Sequence, residues 1–222
     1  MRDEAAHHVG RVLRAQPGQL YELSDGTKVW LGRIETVTRD EVNFSLIEEL
    51  AAPQEGIKTR LLLAVVKFDA FEWALEKATE LGVGAIVPLA AARSEKALLT
   101  AATKRAERWQ KILLEASQQS RRVALPELWP LAKPEVAFQD QHGGLPIFLS
   151  EAPEARTLRE VLRGEQAERV VLAIGPEGGW TEEERSVAKV NGFREASLGN
   201  LILRTETAVI AALANINFVS GG

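Results

Sequence analysis

Two glycine-bearing blocks late in this chain hold the residues best suited to chemistry: Ile174-Gly175-Pro176-Glu177-Gly178-Gly179-Trp180-Thr181 and Leu198-Gly199-Asn200-Leu201-Ile202-Leu203-Arg204-Thr205-Glu206-Thr207-Ala208. Each sits where an apolar, strand-like run gives way to a turn and then a helix. Gly175, Gly178 and Gly179 permit positive φ and close backbone approach, because no Cβ stands in the way. Two such turns at strand ends point to a ligand held by main-chain groups. A phosphate fits that role poorly. Phosphate cradles present bare N–H groups at a helix start, usually beside a lysine, whereas Glu177, Glu182, Glu183 and Glu184 crowd this one. The competing reading makes Gly175 to Gly179 a rigid turn whose glutamates complement the helix dipole, and it accounts less well for two turns than for one. Thr181 with Glu184 reads as a capping box that opens the next helix.

The elements that must position these blocks follow from periodicity. From Thr59 onward strands and helices alternate. Arg60 to Val66, Ala85 to Leu89, Ile147 to Leu149 and Val170 to Ile174 are strand-like. A helix expected after Asp69, capped by Asp69 with Glu72, carries Phe71, Leu75, Ala78 and Leu81 on one face and closes at Gly82. Thr103 to Ser117 is a second amphipathic helix with Trp109, Ile112, Leu113 and Ala116. Such alternation implies an α/β domain, a mostly parallel sheet covered on both faces. Before residue 59, Gln19 to Leu23, Lys28 to Glu35 and Val42 to Leu46 read as short strands of a small barrel, with a hairpin turn at Asp25-Gly26. Residues 51–56 look like a linker, so the expected domains are 1–58 and 59–222. The last helix, Thr207 to Val219, is apolar almost all round and needs burial on more than one side, which suggests a subunit interface.

Composition narrows the function. The chain of 222 residues, 45% hydrophobic and 26% charged, is ordinary for a globular protein with a real core. No run approaches the roughly 18 apolar residues of a membrane span, and Met1-Arg2-Asp3-Glu4 lacks a secretory apolar segment, so a cytoplasmic protein without a membrane partner is expected. The absence of cysteine excludes disulfides, thiolate zinc sites and thiol nucleophiles. With His7, His8 and His142 the only histidines, no metal site is expected. The charge is uneven. Between Arg93 and Arg122 eight basic residues oppose three acidic ones, a local +5 in a chain of net charge −4. A basic stripe on an acidic body suits a site-selective RNA enzyme, although a solvated helix face gives the same pattern.

Taken together, these blocks resemble the RsmE-type family of SPOUT methyltransferases, which methylate N3 of a uridine in small-subunit ribosomal RNA. The likeness continues in Trp73-Ala74-Leu75-Glu76-Lys77-Ala78-Thr79-Glu80-Leu81-Gly82-Val83, in Arg93-Ser94, in Glu115 to Ser120, and in His7-His8 with Arg11 to Arg14. It departs where a first barrel strand would precede His7, where Phe68 replaces a common glycine, and where Leu201 replaces a common arginine.

The resemblance implies a SPOUT trefoil-knot domain, an amino-terminal PUA-like RNA-binding barrel, a homodimer, and ribosomal RNA or the small ribosomal subunit as partner. It implies that S-adenosylmethionine binds at Leu149, Ser150, Ile174, Gly175, Pro176, Glu177, Gly178, Leu198, Gly199, Leu203 and Thr205. Arg204 would stabilise a uridine anion, and Glu206 would accept the proton or else pair with Arg204. Arg11, Arg14, Arg93, Arg121 and Arg122 would contact RNA. Methylation at pyrimidine C5 usually needs a cysteine adduct, so a uridine would react here at nitrogen or oxygen. The rivals are ribose 2′-hydroxyl methylation and a non-catalytic RNA-binding assembly factor.

Overall fold

The hairpin expected at Asp25-Gly26 is built from Asp25 itself. Its carboxylate accepts from Thr27 N and Lys28 N, both at 2.8 Å, and Gly26 adopts φ +92°. These donors, Lys28 N foremost, lower the Asp25 pKa to about 2. The turn joins β1 (Leu20–Ser24) to β2 (Val29–Val37), which pairs in turn with β3 (Val42–Leu50) in an antiparallel sheet. The computed structural model describes residues 6, 10, 14–51, 56–141, 143–165 and 167–219. Its contacts divide the chain into two compact units, Met1–Gln54 and Glu55–Gly222. Among the described residues the first unit is this three-stranded sheet, with Ala6, Ala15, Ile34 and Val42 as its core. His7-His8, Arg11 and most of the linker lie outside the described residues, and with them most of the region where the first barrel strand was expected to be lacking.

Among the described residues the second unit carries seven strands: β4 (Lys58–Ala64), β5 (Ala85–Leu89), β6 (Glu127–Leu128), β7 (Leu145–Leu149), β8 (Arg156–Thr157), β9 (Arg169–Ile174) and β10 (Arg194–Ser197). They pair in the order β6-β5-β4-β9-β7-β10-β8, every neighbour parallel. The connecting helices are α1 (Phe68–Glu80), α2 (Lys96–Ala102), α3 (Ala106–Gln119), α4 (Pro134–Ala137), α5 (Leu158–Leu162), α6 (Glu182–Val190) and α7 (Thr205–Val219). Strand alternation sorts the core. Leu61 and Leu63 of β4 join α1, α3, α5 and α7 in one cluster, and Leu62 and Ala64 join α4, α6, Phe138, Trp180 and Phe193 in another. The sheet is therefore covered on both faces, as continuous apolar strands require.

Three local expectations change. Asp69 and Glu72 do not cap α1, whose N-cap is Lys67 without a side-chain bond. Glu72 instead turns to Arg105 and Arg108, 2.7 and 2.8 Å away. Burial pushes its carboxyl up, but the hydrogen bonds from Arg108 and Arg105 outweigh that and hold it below its ordinary value. The helix expected over Thr103 to Ser117 forms as α3 but starts three residues later, at Ala106, and runs on to Gln119, after a separate short helix that ends at Ala102. The last helix buries Val209, Ala212, Leu213 and Ile216, and Asn217 Nδ2 donates to Leu81 O at 2.8 Å, but Phe218 is 83% exposed. Among the described residues no helix is long and apolar enough to cross a membrane.

Candidate active site

Strands β9, β7 and β10 are neighbours and run parallel, so the segments leaving their carboxy-terminal ends converge on one edge of the sheet. Such an edge is where open α/β sheets bind ligands. Residues 149–151, 174–180 and 198–203, with Thr205 and Ala208, line a cleft of about 250 Å³ there. Every residue expected to touch a cofactor lies in this lining: Leu149, Ser150, Ile174, Gly175, Pro176, Glu177, Gly178, Leu198, Gly199, Leu203 and Thr205. No lysine lines it; its basic residues are Arg93 and Arg185, and its acids are Glu151 and Glu177.

Hydrogen bonds between the loops fix the walls. Trp180, 4% exposed, donates its indole Nε1–H to Leu149 O at 3.0 Å and so ties the loop after β9 to the end of β7. The indole stacks on Phe148 with centroids 4.7 Å apart. Gly175 lies against that ring, since a Cβ there would stand 2.9 Å from two indole atoms. Thr205 Oγ1 donates to Gly175 O at 3.3 Å, which links the start of α7 to the same loop. Of the three glycines in the first block, positive φ is confined to Gly179, at +70°. Gly175 is required by packing, and a Cβ on Gly178 would meet Arg93 at an ordinary 3.4 Å.

The capping box at Thr181 and Glu184 is present, with Thr181 N donating to Glu184 Oε2 at 2.8 Å. Glu184 also accepts from Ala92 N at 2.8 Å, so it is spent on structure and buried. Next to it Arg93 donates to Gly178 O at 2.6 Å. Arg93 was expected to meet RNA; the structure sets it in the cleft wall. Sequence reasoning also missed Trp180, Glu151 and Arg185 as lining residues. An indole donor next to a glycine turn was the available signal for Trp180.

Arg204 and Glu206 flank the lining without joining it. Arg204 is exposed, and its carbonyl accepts the first α7 bond from Ala208 N at 2.8 Å. Glu206 is 7% exposed and its Oε2 has no partner. Among the described residues no ion pair joins the two, so their alternative role as a pair does not hold. Glu206 lies three and seven residues before Val209 and Leu213, on the core-facing side of α7.

Arg122 needs correction as an RNA contact. Its Nη1 donates to Thr79 O and Val83 O at 2.9 and 2.7 Å, closing the end of α1. Arg122→Ala should lower stability by about 2 kcal/mol, because it strands carbonyls that now receive a charged donor. Denaturant titration checks this, and the salt dependence of RNA binding should stay unchanged. Arg14 is exposed with φ +51°, and Arg121 is exposed at the end of α3. The basic stripe is partly neutralised, since Arg105 and Arg108 share Glu72.

Residues 53–217 match the model of the RNA methyltransferase domain, and residues 2–47 match that of the RNA methyltransferase PUA domain. The chain belongs to the RNA methyltransferase family. Within this family it is 35% identical over 219 residues to ribosomal RNA small subunit methyltransferase E of Synechocystis, covering 95% of this chain and 70% of the relative. Its Bacillus subtilis namesake is 30% identical over 236 residues, at 97% and 88% coverage. Among solved RNA methyltransferases, ribosomal RNA small subunit methyltransferase E from Neisseria gonorrhoeae, bound to S-adenosyl methionine, superposes with a TM-score of 0.89 at 31% identity, covering 99% of this chain and 90% of that one. A methyltransferase from Legionella pneumophila in complex with the same cofactor gives 0.86 at 32% identity, covering 96% and 88%.

Proposed function

We propose that this RNA methyltransferase transfers a methyl group from S-adenosylmethionine to N3 of a uridine in small-subunit ribosomal RNA. The observation that carries the reading is the cleft itself, a lysine-free pocket walled by three tied loops at the ends of adjacent parallel strands. Its residues suit the cofactor. Leu149, Ile174, Leu198 and Leu203 offer apolar surface to an adenine, main-chain groups around Gly175 and Gly199 offer hydrogen bonds, and Glu151 and Glu177 offset positive charge. The bound cofactor supplies an electrophilic methyl group. What remains for the chain is to hold the uridine and favour loss of its N3 proton. Arg204, exposed immediately beside the lining, places a permanent cation where the resulting anion can be stabilised. Without cysteine the chain cannot form the adduct that C5 chemistry uses.

The amino-terminal unit, roughly residues 1–58, serves as the RNA-binding domain through Arg11 and Arg14, and residues 59–222 form the knotted catalytic domain of a cytoplasmic enzyme. The working form is a homodimer. Phe218 and Val219 are exposed at the end of α7, and Leu201 and Ile202 are about 80% exposed beside its start, an apolar surface that a second copy would cover. Phe218→Glu should leave the fold intact and give a monomer in light scattering, whereas a wild-type chain already monomeric at micromolar concentration rules the dimer out. The deciding experiment for the activity is mass-spectrometric mapping of small-subunit ribosomal RNA from cells with and without the gene. Loss of one N3-methyluridine supports the reading, and loss of a ribose methyl group or of no modification overturns it.

A further inference from the structure

Three helices of the catalytic unit end in the same hydrogen-bonded motif. At α1, Gly82 N donates to Thr79 O and Val83 N to Ala78 O; at α6, Gly192 N donates to Lys189 O and Phe193 N to Ala188 O. At α3, Arg121 N donates to Gln118 O and Arg122 N to Ser117 O. The motif requires a left-handed residue just past the cap. Gly82 and Gly192 meet this demand at φ +85° and +78°, but the third position is held by Arg121 at φ +55°. A side chain is strained in that conformation and glycine is not. Strain of this kind persists where the surroundings over-determine it, and it clusters where a side chain has work to do.

The surroundings do over-determine it. Arg122, the next residue, is bonded through its guanidinium to Thr79 O and Val83 O, so the end of α3 is fastened to the end of α1. The Arg121 side chain is exposed and makes no hydrogen bond or ion pair among the described residues. One arginine anchors the loop and its neighbour is presented to solvent from a fixed backbone. Gln118 and Gln119 of the same turn are exposed beside it, with amide donors of their own. Complementing the helix dipole does not require this position, because a cation at 118 or 119 would do so without left-handed strain.

We infer that Arg121 is retained against its conformational strain to contact a phosphate of the RNA substrate and so position that RNA on the catalytic unit. The inference rests on the proposed RNA substrate. Its test separates stability from binding in the full chain. Arg121→Gly should raise the melting temperature by about 2–4 °C, the size expected from relieved strain in a chain of this length. The same variant should bind a small-subunit ribosomal RNA transcript several-fold more weakly, with the slope of log affinity against log salt shallower by about 0.9. Arg121→Lys, which keeps the charge, should melt like wild type and keep the slope. A variant Arg121→Gly that melts lower shows the side chain to be structural and overturns the inference, as does unchanged RNA affinity and slope. A wild-type chain with affinity for neither the transcript nor the small ribosomal subunit overturns the proposed RNA substrate and this inference with it, whereas wild-type binding without an Arg121 effect overturns this inference alone.

Discussion

Replacing Arg204 by alanine is expected to lower kcat about a hundred- to a thousand-fold while cofactor affinity stays nearly unchanged. The magnitude is that of removing one donor aimed at charge that develops in a transition state. The separation from cofactor binding follows from geometry, because Leu203 and Thr205 line the cleft and the residue between them does not. The side chain is also exposed and engaged in no ion pair among the described residues, so its loss should leave the fold alone. Single-turnover kinetics at saturating RNA checks the assignment, since a defect in RNA affinity disappears there and a defect in chemistry persists. Full recovery of the rate under saturation would make Arg204 a docking residue.

The other large effect is expected from adding a single methyl group. Gly175→Ala places a Cβ 2.9 Å from the Trp180 indole, closer than side chains tolerate. Trp180 cannot yield freely. It is packed between Phe148 and Phe138, with centroid separations of 4.7 and 5.8 Å, and its N–H holds Leu149 O. The indole must shift and that bond must break, which opens the cleft wall between β7 and β9. Cofactor affinity should fall at least about tenfold, the equivalent of one lost hydrogen bond of ~1.4 kcal/mol. Gly178→Ala is the control, as its added carbon meets the flexible Arg93 side chain at 3.4 Å. Titration calorimetry with S-adenosylhomocysteine compares the two, and equal affinities would show that the tie through Trp180 does not shape the site.

The parts of this molecule legible in the sequence are those set by local pattern. Ala85–Leu89 is a strand with the expected bounds, the Thr181–Glu184 capping box forms, and the lining of the cleft follows from two glycine turns and the resemblance they carry. The misreadings share a cause. Glu72 looked like a cap partner of Asp69 because they are three residues apart, but Arg105 and Arg108, more than thirty residues away, claim its carboxylate. Arg122 looked like a phosphate ligand because it belongs to a basic run, but two carbonyls at the end of another helix capture it. A charged side chain goes to the strongest partner that tertiary contact supplies, and periodicity is silent about that contact. The strained backbone of Arg121 was invisible for a related reason, since φ at a helix end depends on where the helix stops.

The strand order has a consequence for how the molecule comes into being. The centre of its sheet is the pairing of β4 with β9, in which Lys58 lies opposite Arg169, more than a hundred residues later. At ordinary translation rates these partners leave the ribosome on the order of ten seconds apart. Until then the first strands and helices wait with one apolar sheet edge unpaired, a slow and non-local route to the native state. The cleft lags further, because its walls need the loops after β7, β9 and β10 and then Thr205 at the start of the last helix. A nascent chain is therefore incapable of holding the cofactor until Thr205 has emerged, and ligand capture reports that all the loops of the cleft have come together.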